Sequence, residues 1–402
     1  MGSGGREHAL AWKLAQSPRL TALHAAPGNP GIAALGECHP VRAEDGEGLL
    51  SLGRELEIDL VVVGPEAPLV AGLADTLRHA GTAVFGPTRK AARLEGSKSF
   101  AKDVLEAAGV PTARRLAVAR PPCVVKADGL AAGKGVFVCR TQAELDEGLR
   151  AAASLQGDVL IEELLEGEEV SLFVLTDGSR ALPLAPAQDF KRVGDDDTGP
   201  NTGGMGSYSP VPGLNEPEVE ELVELVHKPV LEELALRRTP FSGLLYAGLM
   251  LTPDGPRVLE FNCRFGDPET QSILPRLDGD LLGALWSAAT GELDAELVAE
   301  PLAAVTVVLA AGEYPERSDS GTPIEGIEAA EARGALVFHA GTARRGGRLV
   351  TNGGRILDVT AVGPDLPAAR AAAYEAVQQI SFSGMRYRRD IALAAAEGHV
   401  RL

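Results

Sequence analysis

Short apolar runs alternate with stretches in which apolar residues recur every third or fourth position along the first quarter of the chain. Residues 20–26, 59–63 and 82–85 are the short runs and read as strands; 46–57 and 69–80 carry helical spacing. An amphipathic helix also follows Gly2-Ser-Gly-Gly and runs to about Gln16. Regular strand–helix alternation implies a parallel, doubly wound sheet. In such sheets ligands sit beyond the carboxyl ends of strands. Three of those ends carry turn residues here: Pro27-Gly28-Asn29, Gly64-Pro65-Glu66 and Gly86-Pro87. Glu66 is either an acceptor for sugar hydroxyls or a helix-start carboxylate favoured by the dipole.

The pattern then changes. Residues 93–108 and 142–153 are helical, while 122–126, 136–138, 158–164 and 168–176 are strands, so 113–177 reads as a small, largely antiparallel α+β unit. Residues 188–210 hold hardly any aliphatic run, and a loop of that length inside a compact domain is functional or a linker. A long helix (216–236), two apolar strands (243–251 and 257–262) and a helix (280–290) follow. Strands at 304–311, 335–341, 348–350 and 355–362, a helix at 365–380 and a basic tail at 386–389 form a last α+β domain. The expected division is 1–95, 96–300 with a lid at 113–177, and 301–402.

Two lysines, Lys126 and Lys134, flank a glycine-rich turn in PCVVKADGLAAGKGVFV. Glycines let backbone approach a ligand closely, and lysines beside them are point charges for phosphate oxygens. With eight lysines against thirty arginines in the chain, lysines here are poor candidates for surface filler. The 188–210 loop carries Asn201-Thr-Gly-Gly-Met-Gly, again suited to cradling phosphate. Glu260 and Asn262 point to the same face of a strand. Two oxygens on one face beside a phosphate pocket suit Mg²⁺, which takes one or two protein oxygens and keeps several waters. Gly2-Ser-Gly-Gly before a helix is either a phosphate turn or an ordinary helix start. Asn352-Gly-Gly-Arg355 reads first as a plain hairpin turn with an exposed arginine.

Composition narrows the classes. A net charge of −18 excludes a nucleic-acid-binding surface as the main business, and no apolar run is long enough for a membrane span. Cys38, Cys123, Cys139 and Cys263 are widely spaced, which fits free thiols in a reducing cytoplasm.

The motifs GGREHAL (4–10), GPEAPLV (64–70), EGSK (95–98), VKADGLAAGKGV (125–136), TGPNTGGMGSYSP (198–210), GLLYAGLM (243–250) and LEFNCRFGDPET (259–270) together resemble the phosphoribosylamine–glycine ligases of the ATP-grasp superfamily, over nearly the whole chain. The resemblance implies an ATP-grasp fold between a doubly wound N-terminal domain and a small α+β C-terminal domain. It implies ATP held by Lys98, Lys126, Lys134, Gly133, Gly135, Asn201, Gly203 and Gly204, with Glu162, Glu163 and Leu165 at the adenine edge and Glu169 at the ribose. It implies Mg²⁺ or Mn²⁺ on Glu260 and Asn262. Lys134, Arg264 and Asp267 would serve the chemistry. Glycine and 5-phosphoribosylamine would meet Gly4, Gly5, Arg6, Glu66, Arg264, Asp267 and Arg355. The expected protein is a cytoplasmic monomer making glycinamide ribonucleotide, ADP and phosphate through glycyl phosphate. The alternatives are an ATP-grasp ligase with another amine acceptor, and a homologue impaired in catalysis.

Three departures from that pattern matter. The family's apolar strand before GSGGREHA is absent, so the natural start is expected upstream, the sheet is expected to lack an inner strand and the glycine turn to be poorly held. The 115–121 segment is short and lacks a helix, which bears on lid closure. Phe190 stands where the family has His, which weakens a substrate role for 188–192.

Overall fold

The computed structural model describes residues 1–130, 135–155 and 157–400. In the N-terminal domain His24–Ala25 pairs in parallel with Glu37–Cys38, and Leu60–Val62 with Ala83–Phe85. Met1 and Gly2 join the two pairs into one layer. The Gly2 N–H donates to Ala26 O (2.8 Å) and Gly2 O accepts from Gly28 (3.0 Å), while the Met1 amino group donates to Val62 O (2.9 Å) and Met1 O accepts from Gly64 (3.0 Å). The glycine turn is therefore well held, contrary to expectation, because these few backbone bonds and the Asn29 amide brace it. Asn29 Nδ2 donates to Ser3 O (3.0 Å) and to His339 O (2.7 Å). Beside this junction lies a cavity of about 550 Å³, with Leu10, Leu14, Leu60, Val62, Leu77 and Trp286 in its wall.

The central sheet has the order Gly255–Asn262, Gly243–Thr252, Glu168–Thr176, Ala181–Pro183, all antiparallel. Alternation along its strands feeds two cores. Leu245, Ala247 and Leu249 face the helix Lys98–Ala107 and the helical run through 216–236, whereas Leu244 and Tyr246 face the helices Gly5–Leu14 and Leu281–Thr290. Glu168–Thr176 runs the length of this sheet, so the lid ends at Glu163 and not at 177: the two runs flanking Gly167 belong to different sheets.

The lid sheet has the order Val136–Cys139, Cys123–Ala127, Val159–Glu163. Cys123, Val125, Cys139 and Leu145 bury one face against the helix Gln142–Ser154. That helix begins where the sequence Thr141-Gln-Ala-Glu144 forms a reciprocal cap: Glu144 N–H to Thr141 Oγ1 (3.3 Å) and Thr141 N–H to Glu144 Oε2 (2.8 Å). No helix lies between Ala107 and Cys123.

Residues 188–210 are not one loop. Gln188–Asp189 and Gly206–Ser209 are the first two strands of a five-stranded sheet completed by Ala303–Ala310, Arg355–Gly363 and Leu336–His339, with Leu366–Val377 packed on it. Its short aliphatic content hid these strands, because Gly206–Ser209 is buried between neighbours through Tyr208 and small polar residues rather than an aliphatic run. Phe190 packs against the same core and lies under the Arg388 guanidinium, 4.8 Å from the ring centroid. Arg388 is no exposed tail residue. Its side chain is 1% exposed and pairs with Asp197 (2.7 Å) and Asp390 (2.6 Å).

Candidate active site

Three walls meet: the lid hinge, the end of strand Gly255–Asn262, and the edge of the C-terminal sheet. At the hinge, Glu162 accepts ion pairs from Lys102 (2.5 Å) and Lys126 (2.7 Å), all three side chains being under a tenth exposed. Lys126 Nζ also donates to Leu259 O (2.8 Å), the residue at the register shift in the central hairpin. Each Glu162 oxygen thus carries one ion pair, and Glu162 sets the position of Lys126. Glu163 caps the Arg114 N–H (2.8 Å) beside it.

Lys98 stands on the first turn of Lys98–Ala107, with Ser97 as cap, and its Nζ donates to Gly129 O (2.9 Å) at the base of the flap. Burial pulls its pKa down, and Glu260 and Asp128 oppose that. Lys126 is close enough to Lys98 to add to the lowering. Gly133 and Lys134 lie outside the described residues.

Glu260 is half-buried and, among the described residues, makes no ion pair or hydrogen bond, although its field reaches Lys98, Glu169 and Lys191. A half-buried carboxylate with no partner among the described residues is open to a bound cation. Asn262 lies two residues on, and its Oδ1 accepts one bond from Arg264 Nη2 (3.0 Å), leaving a second lone pair. This donor set fits a hard divalent cation. Glu169 pairs with Lys191 (2.6 Å), which also holds Asp189 (2.7 Å); the ribose carboxylate expected from the sequence is thus tied to the 188–192 segment.

Arg264 is buried between Glu95 (2.9 Å) and Glu66 (3.7 Å). Burial pushes Glu66 up, but Arg264 and Arg6 outweigh it and hold the carboxyl below its usual range. Arg6 donates to Phe265 O (3.1 Å), across from Arg264.

Arg355 does not hang from a hairpin. Its guanidinium donates to Gly203 O (2.5 Å) and Asp267 O (2.8 Å) and pairs with Asp267 Oδ2 (3.1 Å). Gly203 and Gly204 therefore sit with Arg355, Tyr314 and Pro268, in the half of the cleft next to the C-terminal sheet. Asn201 pairs with Arg192 in the ribbon Arg192–Gly194/Thr198–Asn201. Gly4 and Gly5 complete this half. The Gly4 N–H is taken by Glu7 Oε2 (2.6 Å), and any side chain at Gly5 would collide with the Asp358 carboxylate.

Four residues escaped the sequence reading: Glu95, Tyr246, Glu269 and Asp358. Tyr246 donates to Glu269 (2.6 Å) and meets Ser171 (2.8 Å) in a buried network. Asp358 was visible only as one acid in the apolar run ILDVTAV. It is fully buried, accepts from Gln271 Nε2 (2.9 Å), and burial together with Asp267 pushes its pKa up from 3.8 to about 7. The folded state thus keeps the proton to about pH 7, while the unfolded chain releases it near 3.8. Its contribution to stability is full below about pH 4 and is lost as pH rises through about 7. Asp358→Asn should therefore gain stability relative to the parent as pH rises from about 4 to about 7, read by urea melts; a pH-independent difference would contradict this.

A three-stranded antiparallel unit carrying Lys126, set against an antiparallel central sheet that carries Glu260 and Asn262, is the architecture of the ATP-grasp class. Residues 1–95, 96–270 and 304–394 match the N domain, the ATP-grasp (A) domain and the C domain of Phosphoribosylglycinamide synthetase. The chain is 53% identical to a phosphoribosylamine–glycine ligase of Streptomyces coelicolor, covering 98% of each, and 50% identical to one of Agrobacterium fabrum, covering 97% of this chain and 96% of the relative. The solved phosphoribosylamine–glycine ligase of Thermotoga maritima superposes with a TM-score of 0.83 at 34% identity, covering 97% of this chain and 98% of that one. A 2-oxoglutarate carboxylase biotin carboxylase domain from Hydrogenobacter thermophilus, 17% identical over 96% of this chain and 90% of its own, shares the fold with a TM-score of 0.66. The chain belongs to the phosphoribosylamine–glycine ligase family. Among the described residues no helix is long and apolar enough to cross a membrane.

Proposed function

We propose that this chain joins glycine to 5-phosphoribosylamine with ATP, giving glycinamide ribonucleotide, ADP and phosphate, a step of purine synthesis. The observation that carries this reading is the Glu260 carboxylate, without a partner among the described residues and within the field of Lys98, with Arg264, Asp267 and Arg355 across the cleft. Glu260 and Asn262 would hold Mg²⁺ or Mn²⁺, which offsets charge on phosphoryl oxygens when bound. Lys98 and Lys126 flank the phosphates and reduce repulsion when the glycine carboxylate attacks the terminal phosphoryl group. Arg264, braced by Glu95 and Glu66, orients the glycine carboxylate. Arg355, Asp267 and the Gly4–Gly5 turn orient the sugar phosphate so that its amine reaches the acyl carbon of glycyl phosphate and displaces phosphate. The lid keeps water from that acyl phosphate. One chain supplies every one of these groups, which is why we infer a working monomer.

The test is ADP release with glycine and freshly generated phosphoribosylamine, each omitted in turn. Release dependent on both is expected. Release indifferent to glycine, or supported by another amine in place of phosphoribosylamine, would overturn the reading.

A further inference from the structure

Away from the cleft, the parallel pair His24–Ala25 and Glu37–Cys38 turns Ala25 and Cys38 toward a small apolar cluster. The period of two then sends His24 and Glu37, with His39 next on the same side, to the opposite face. His24 and Glu37 are register partners. His24 Nδ1 and His39 Nε2 are 3.0 Å apart, and Glu37 Oε2 lies 3.9 Å from His24 Nδ1. The three ligand atoms all fall within 4.8 Å of one another. We propose that His24, Glu37 and His39 form a binding site for a borderline divalent transition-metal ion of the Zn²⁺ type, separate from the catalytic cation.

The donor chemistry selects the ion. Two imidazoles and one carboxylate suit Zn²⁺, Ni²⁺ or Cu²⁺, whereas Mg²⁺ prefers all-oxygen shells. The geometry needs little adjustment. A tetrahedral Zn²⁺ with bonds of about 2.0–2.1 Å sets its ligand atoms about 3.4 Å apart. The two ring nitrogens would open by a few tenths of an ångström, and the Glu37 carboxylate, on a side chain 69% exposed, would swing in by a similar amount. The proton between the two rings moves to the outer nitrogen of its own ring, so both facing nitrogens present lone pairs to the ion as neutral imidazoles, and a fourth position stays open to water.

Location gives the site a consequence. The first strand runs straight into Ala26-Pro27-Gly28-Asn29, the turn that hydrogen-bonds Gly2 and braces Ser3 and Gly4 through Asn29. A metal bond across the pair clamps the support of the glycine turn from the side opposite the cleft.

The test is Zn²⁺ uptake by the full chain in saturating Mg²⁺, by elemental analysis after gel filtration, together with Co²⁺ absorption spectra. Expected are about one equivalent of Zn²⁺ per chain and tetrahedral Co²⁺ bands. His39→Ala should weaken uptake at least tenfold and Glu37→Gln less, with ligase activity in Mg²⁺ alone unchanged in both. Glu260→Ala should leave Zn²⁺ uptake intact, so a failure of the proposed function leaves this test standing. No uptake by the parent chain, or equal uptake by His39→Ala and Glu37→Gln, would overturn the proposal. Glu37 is exposed enough that its replacement does not threaten folding.

Discussion

Replacing Glu260 by alanine is expected to lower metal-dependent turnover by about a thousandfold or more, because a bound divalent cation supplies several kcal/mol of charge stabilisation. The fold should not suffer. The Glu260 side chain makes no ion pair or hydrogen bond among the described residues, so its removal breaks no contact there. Removing it also takes from Lys98 the main charge that opposes its desolvation, which pulls the lysine pKa further down. Turnover against Mg²⁺ and Mn²⁺ concentration, with a thermal melt beside it, checks both halves. Near-parental turnover at low cation concentration would remove Glu260 from the metal site.

Arg355→Ala should lower kcat/KM for phosphoribosylamine by about 100- to 1000-fold, the loss that follows removal of one oriented cationic donor. ATP binding should stay near the parental value, since the Arg355 guanidinium bonds to Asp267 and the 203–204 turn and, among the described residues, to neither Lys98 nor Lys126. Lysine would not restore function. The guanidinium spans Gly203 O, Asp267 O and Asp267 Oδ2 at once, a fork that a single ammonium cannot reproduce. Equal losses for ATP and phosphoribosylamine would instead mean that Arg355 holds the whole cleft together.

Much of this was legible in the chain, for physical reasons that can be named. The period-two alternation and the spacing of Glu260 and Asn262 are local, and they placed both residues on one strand face. The Lys126 turn was readable because glycines and a lysine in a lysine-poor chain are conspicuous. Pairing between distant segments was not readable. Nothing local tells Glu168–Thr176 to join the central sheet rather than the lid, or Arg355 to reach 152 residues back to Gly203. Glu162 looked like a ligand-facing acid until two lysines, from a helix and from the neighbouring strand, enclosed it. Asp358 hid for the opposite reason: a single acid in an apolar strand gives no sign of what it will be buried against.

The strand Gly206–Ser209 bears on how the chain is made. Roughly 95 residues separate Ser209 from Ala303, where its partner strand begins. At about 5–20 residues per second, a ribosome takes about 5–20 s to deliver that partner. Throughout that interval the segment that will lie inside the last domain's sheet has one edge unpaired, for most of it next to an ATP-grasp body still lacking the helix Leu281–Thr290. The three family-matched stretches therefore do not mature as beads on a string. The middle one stays an open nascent fold until the third is translated, and the cleft between them comes into being only when synthesis is nearly over.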